Sequence, residues 1–187
     1  MKRAVALLAV TAACTPAFTI NILENPGFES GELDPWFNDQ NFGGSDWTVD
    51  NLDPHSGTYS ATNVGNVEIR QNFAPTLVSD ITEVSFWMKH PLDNGVPSFV
   101  TLFYSDNTDT GFVIFTYTED WTSFNVTGNL EAGKSLVGIG FFGHAGGGKA
   151  EDRTRIDDAV IDAVPEPSSI LVLVVAASAL ITRRRRR

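Results

Sequence analysis

Val84-Ser85-Phe86-Trp87-Met88-Lys89 decides how this chain folds. In an extended strand successive side chains point to opposite faces. Val84, Phe86 and Met88 therefore share one face, and Ser85, Trp87 and Lys89 share the other. One face is apolar and the other mixed, the signature of a half-buried strand rather than of an amphipathic helix. The same texture recurs outward in both directions. Short runs rich in Val, Ile, Phe, Tyr, Trp and Thr alternate with clusters of Gly, Asn, Asp and Pro, and no long 3.6-residue period appears.

Ten strands are expected on this basis: Thr19–Leu23, Asp46–Val49, Tyr59–Asn63, Val67–Phe73, Glu83–Lys89, Ser98–Tyr104, Phe112–Tyr117, Thr122–Val126, Leu136–Phe142 and Thr154–Ile161. So many short strands in one domain-sized segment predict an all-β fold, a two-sheet antiparallel sandwich of jelly-roll type.

The 187 residues divide into three parts. Residues 1–17 read as a signal peptide, with Lys2 and Arg3 as the charged start and Ala4–Ala13 as the apolar stretch. Either Ala17 or Thr19 is the last residue removed. Cys14, the one cysteine, leaves with the signal unless it is lipidated, so residues 18–163 hold no thiol. Residues 164–187 read Val164-Pro165-Glu166-Pro167, two serines, an apolar run from Ile170 to Ile181, then Thr182 and Arg183–Arg187. As a single hydrophobic helix the run covers roughly 18 Å, short of a bilayer core, and the arginines hold that end in the cytoplasm. Charge is sharply partitioned. Without Lys2, Arg3, Arg183–Arg187 and Glu166, the middle domain keeps 6 basic residues against 22 acidic ones, a net charge near −16. This argues against nucleic acid or anionic lipid as a partner and suits neutral ligands or divalent cations.

The proline–glutamate–proline motif, the short span and the basic terminus, in that order, resemble the PEP-CTERM sorting signal of bacterial exported proteins. The resemblance implies an exosortase as partner, transient membrane anchoring through residues 170–181, and delivery to the cell envelope or a polysaccharide-rich biofilm matrix. An ordinary tail anchor is the other reading of the same residues.

Within the domain, Asn25-Pro26-Gly27-Phe28-Glu29-Ser30-Gly31 with Trp36, His55-Ser56-Gly57-Thr58-Tyr59-Ser60-Ala61, the Ser85–Lys89 stretch and the closing Ile156-Asp157-Asp158-Ala159-Val160 resemble the landmarks of carbohydrate-binding jelly-roll modules of galactose-binding-like type. That resemblance implies a structural calcium held by the Gly27 carbonyl, Glu29 and Asp157. Calcium takes six to eight oxygens, several of them from carboxylates. Asp157 alternates with Ala159 and Ile161 and is expected on the core side, with Asp158 outward. Ser56 stands where some relatives offer another carboxylate, and satisfied backbone donors are the competing explanation of both acids.

Glycan binding needs aromatic faces beside a few polar groups. Trp36, Trp47, Trp87, Trp121 and Tyr104 are the candidates. Trp87 is the best placed, with Tyr104 and Lys89 as its companions, whereas Trp36 and Trp121 suit the ends of the sandwich. Catalytic patterns are thin. Gly143–Lys149 has the spacing of a phosphate loop, but Ala150 stands where a Ser or Thr belongs and no helix pattern follows, so a plain glycine-rich loop is expected. His55, His90 and His144 make no zinc pattern. The expectation is a non-catalytic, exported module that binds extracellular polysaccharide; a structural surface or adhesion protein without a specific glycan is the alternative.

Overall fold

A computed structural model describes residues 18–90, 98–115, 118–143 and 153–165. The signal-peptide and sorting-signal expectations on residues 1–17 and 166–187, including Glu166 and Pro167, lie outside these, as does the loop expected after Gly143. The fold is an all-β jelly-roll sandwich of two antiparallel sheets.

The first sheet is ordered β3 (Thr48–Asp50), β4 (Ser60–Asn63), β11 (Thr154–Ala163), β6 (Ile81–His90), β9 (Thr118–Asn125), with β1 (Ile20–Asn21) paired to the far end of β11. The second is ordered β2 (Phe37–Asn41), β5 (Val67–Leu77), β10 (Ser135–Phe142), β7 (Ser98–Tyr104), β8 (Val113–Phe115). Each of the ten expected strands has a counterpart. β2 was not expected, because Phe-Asn-Asp-Gln-Asn is composed of turn formers and shows no apolar alternation. It pairs along β5, with Phe37 opposite Arg70 and Asn38 opposite Ile69.

The alternation in β6 is realised as read. Val84, Phe86 and Met88 are buried between the sheets, and Ser85, Trp87 and Lys89 lie on the other side. Phe86 meets Phe141 edge-on at 4.7 Å, and Trp36 lies between Phe28 and Phe141 at 5.5 and 5.9 Å. Side chains of this size dominate the apolar area that a core removes from water. The Trp47 indole is also buried, and its N–H donates to the Val67 carbonyl at 2.8 Å. Trp36 and Trp47 are thus core residues rather than sugar platforms.

β11 departs from simple alternation. Its register against β6 shifts between Asp157 and Val160, where Asp158 adopts φ +46°. Such a bulge leaves one extra residue and resets which face each later side chain takes. Asp157 pairs directly with Trp87 and so shares its outer face, whereas Ala159 and Ile161 face the core. The expectation that Asp157 points with Ala159 and Ile161 is therefore overturned by one bulged residue. On the opposite edge of β11, β4 pairs with Thr154–Ile156 and β1 with Asp162–Ala163. Between them Asn21 takes over, donating its amide to the Ala159 carbonyl and accepting from the Ile161 N–H.

Candidate functional site

The outer face of the first sheet is roofed by the loop that precedes β4. Asp157 is fully buried there, and its carboxylate accepts the amides of His55 and Ser56 at 2.9 and 3.2 Å and that of Asp158 at 2.8 Å. Glu29 accepts the amides of Thr58 and Tyr59 within 3.0 Å. His55 Nδ1 and Ser56 Oγ both reach Asp158, at 2.7 and 2.9 Å. The three residues expected to share a calcium do converge. A Cβ on Gly27 would lie 3.3 Å from Asp158 Oδ1, 3.5 Å from Asp157 Oδ1 and 3.8 Å from Glu29 Cγ, which places its backbone beside all three acids. Burial pushes the Asp157 carboxyl up to about 6, opposed by the Ser56 amide and reinforced by Asp158. Among the described residues no three His, Cys, Asp or Glu side chains are grouped as a metal cluster.

That roof also closes over the expected sugar platform. The His55 ring stacks on Trp87 with centroids 3.8 Å apart and planes at 17°, and Trp121 approaches His55 edge-on at 5.7 Å. Lys89 is held by Asp53 of the same loop at 2.9 Å. Trp87 and Lys89 are on the face expected of them, yet one side of the indole is covered and the ammonium is engaged. Tyr104 faces the core at 2% exposure, and its hydroxyl accepts the Glu131 amide at 2.9 Å. Its place in a sugar site is overturned: in Ser98–Tyr104 the residues turned inward are Val100, Leu102 and Tyr104.

On the outer face of the second sheet the side chains fall into rows across the strands, with Glu68, Phe142 and Thr101 buried among them. In one row Glu68 of β5 lies opposite Phe142 of β10, which lies opposite Phe99 of β7. Phe42 and Phe112 extend this row, 5.8 Å from Phe142 and 4.0 Å from Phe99. They are 64% and 60% exposed. In the next row Phe37, Arg70, Gly140 and Thr101 are aligned. In the third, Asn72 and Phe103 flank Gly138.

The two glycines shape the floor. The space a Cβ would fill at Gly140 is taken by the Glu68 carboxyl, and that at Gly138 by Asn72 Oδ1. Arg70 donates to Asn72 at 2.8 Å and to Asp39 at 3.2 Å, and its guanidinium lies 3.7 Å over the Phe103 ring. Glu68 is the exception to this good pairing. It is fully buried, and both carboxyl oxygens lack a hydrogen-bond partner, as does the buried Thr101 hydroxyl across Gly140. Burial pushes its carboxyl up to about 7, with Asp39 and Asp109 adding to the rise and Arg70 opposing it. A cavity of about 290 Å³, lined by Glu24, Pro35, Asn72 and Phe73 among others, opens at the Asn72 end of this face.

Emphasis on tryptophan hid this face from the sequence reading. The signal was available in two strands already recognised. In Val67–Phe73 the residues that alternate with Val67, Ile69, Gln71 and Phe73 are Glu68, Arg70 and Asn72. In Leu136–Phe142 glycines alternate with Ile139 and Phe141. A strand with charges opposite a strand with glycines marks a recess with polar groups in it.

No known protein family matches the chain, and no curated protein matches it either. Solved structures do share its fold. A family 16 carbohydrate-binding module matches with a TM-score of 0.50 at 18% identity, over 76% of this chain and 99% of that one. A xylan-binding domain of carbohydrate-binding family 22 matches with 0.50 at 12% identity, over 77% and 95%. A cyclase from Fischerella sp. TAU matches with 0.54 at 12% identity, over 79% and 98%. At these identities the likeness is one of fold, and the same sandwich serves binding modules and at least one enzyme.

The buried Glu68 gives stability a specific pH dependence. Its folded pKa of about 7 exceeds the ordinary 4.5, so the folded state binds the extra proton between those values. Stability from this group is complete below the ordinary value and is lost as pH rises through about 7. Glu68→Gln should melt higher than wild type at pH 8, by up to roughly 3 kcal/mol of stability, with the difference vanishing near pH 4.5. Thermal melts across that range check it; a parallel pair of curves would mean that Glu68 is not strained by its burial.

Proposed function

We propose that this chain is an exported, non-catalytic glycan-binding protein whose ligand lies across the outer face of the second sheet. The observation that carries the reading is the row of phenylalanine rings on that face, with Phe42 and Phe112 at 64% and 60% exposure beside Phe99 and Phe142, next to Arg70 over the Phe103 ring. Aromatic rings beside polar groups suit the C–H faces of sugars. Phe103, backed by Arg70, and Phe37, at 39% exposure, offer further rings on the same face. The fold is one that carbohydrate-binding modules use, which supports the same reading. An ion at Gly27, Glu29 and Asp157 belongs to this proposal: the donor set is all oxygen, as calcium prefers, and a cation there would relieve the burial of Asp157. Its part is structural, holding the N-terminal segment, the 55–59 loop and β11 together away from the glycan face. Export through residues 1–17 and exosortase processing at Val164–Pro167 would deliver the module to the cell envelope or an extracellular matrix.

Three outcomes are expected. On a glycan array the protein binds a defined oligosaccharide. Phe103→Ala and Arg70→Ala each weaken that binding by about 2 kcal/mol or more, roughly thirtyfold, while Trp87→Phe retains it. Binding that survives both second-sheet variants and disappears with Trp87 would move the site to the first sheet. An array with no ligand at all would favour a structural or adhesion role.

Chelation is expected to lower the melting temperature by several degrees, since removing a ligand held a hundredfold above its Kd costs about 2.7 kcal/mol. An unchanged melt in chelator rules calcium out of the clamp. Intact-mass analysis of the exported protein should find a C-terminus upstream of the arginines; one still ending at Arg187 would leave a tail anchor.

A further inference from the structure

We infer that the apolar run Ile170–Ile181 has a seat on this domain. Its first half lies extended in the groove between Ile22 and the free edge of β5, antiparallel to that strand. The seat is independent of where a glycan binds.

The groove is a seam that the sandwich leaves open. β2 pairs with β5 from Val67 to Arg70, and among the described residues no strand adjoins that side of β5 from Gln71 to Leu77. Two cavities of about 290 and 280 Å³ lie along this stretch, and Ile22 and Thr76 line both. Together they form one groove from Asn72 to Leu77, roughly 17 Å long at the rise of a strand. Its apolar walls are open to water. Ile20 and Leu77 are each 47% exposed, and Ile22 and Phe73 are half-buried. Single exposed apolar side chains are ordinary, but a contiguous groove of them marks a surface that takes a partner.

The course of the chain says which partner. The Val164 N–H donates to the Asp80 carbonyl at 2.8 Å, and Val164 and Pro165 themselves line the Leu77 end of the groove. Glu166–Ser169 reach about 13 Å when extended, so Ile170 begins within range of Leu77 and Thr76. From there Ile-Leu-Val-Leu-Val-Val covers roughly 20 Å as a strand, which matches the groove. Ile170, Val172, Val174 and Val175 are β-branched and suit an extended backbone. An apolar run of this length is short for a bilayer core and more commonly packs against protein.

Charge agrees with length. Arg183–Arg187 follow the run, and the domain they would lie against is near −16. Pro75 has no N–H to give, so the ladder along β5 is incomplete and burial of side chains holds the segment.

Residues 18–187 hold no cysteine, which makes disulfide trapping a direct test. The full chain, with Cys14→Ser and both ends unprocessed, carries Thr76→Cys and one further cysteine at a time from Ile170 to Val175. Thr82→Cys replaces Thr76→Cys as the control for tethering alone. Thr82 is exposed near the chain's exit, bonded to the Asp162 carbonyl at 3.2 Å, but it lies on β6, across β11 from the groove. Under oxidation by copper phenanthroline, alternate positions of the six should close an intramolecular disulfide with Thr76→Cys at least about fivefold more completely than with Thr82→Cys. Equal yields overturn the inference. So do disulfides that join two chains, or a spacing of three or four residues instead of two. Leu77→Asp, at a half-exposed position, should leave the melt unchanged and lower the Thr76 yield to the Thr82 level. A yield that persists in Leu77→Asp would show that this groove does not hold the run.

Discussion

The structure hangs on the Asp157 carboxylate. It is buried where β11 bulges, and it gathers the amides of His55, Ser56 and Asp158 while Glu29 gathers those of Thr58 and Tyr59. Hydrogen bonds to a charged acceptor are roughly twice as strong as neutral ones, and a buried carboxylate without them is untenable. The amides come from a loop more than a hundred residues earlier in the chain. Three segments distant in sequence are thereby tied at one edge of the sandwich, and Gly57 is needed because a side chain there would meet the Glu29 carboxylate. The bulge itself follows from the same demand, since an uninterrupted strand would turn Asp157 into the core.

From this tie follows which face is free. The clamped loop carries His55 onto Trp87 and Asp53 onto Lys89, so the first sheet wears its own cover. The second sheet is left with the opposite arrangement: glycines on β10, charges on β5 and rings at the margins. Here the chain tolerates a buried carboxyl whose burial no hydrogen bond offsets. Natural proteins keep such a cost where function requires a poised group, and the contrast between Asp157 and Glu68 makes the point within one molecule. One buried acid is held by three amide donors and builds the fold; the other is buried with no donor at all.

Alternation carried the sequence reading a long way. It placed Val84, Phe86 and Met88 in the core and ten strands on two sheets. It failed where backbone geometry breaks period two. A single left-handed residue, Asp158, reversed the face of Asp157; Asp tolerates that conformation better than most residues, but period-two alternation takes no account of it. β2 escaped because an edge strand is defined by its partner, β5, more than by its own composition. Tyr104 was chosen for its ring, although its own strand's alternation with Val100 and Leu102 already turned it inward. The clamp was legible through its glycines and acids, but its donors are backbone amides, which every residue has and which leave no mark in composition. Glu68 was legible as an acid inside a strand; that it lacks partners is a fact of three dimensions.

The sandwich alone does not choose between binding and catalysis, as the cyclase of the same fold makes plain. What separates the two is how many poised groups share a site. General acid–base chemistry at a glycosidic bond calls for two carboxyls with distinct protonation set across one ligand position. Around Gly140 one carboxyl is recessed and strongly perturbed, while Asp39 is tied to Arg70 and Asp109 lies exposed at the strand end. A lone recessed acid beside stacked rings is poorly equipped to protonate a leaving group and activate water together. Its burial, which raises its proton affinity, suits it to donating one hydrogen bond instead.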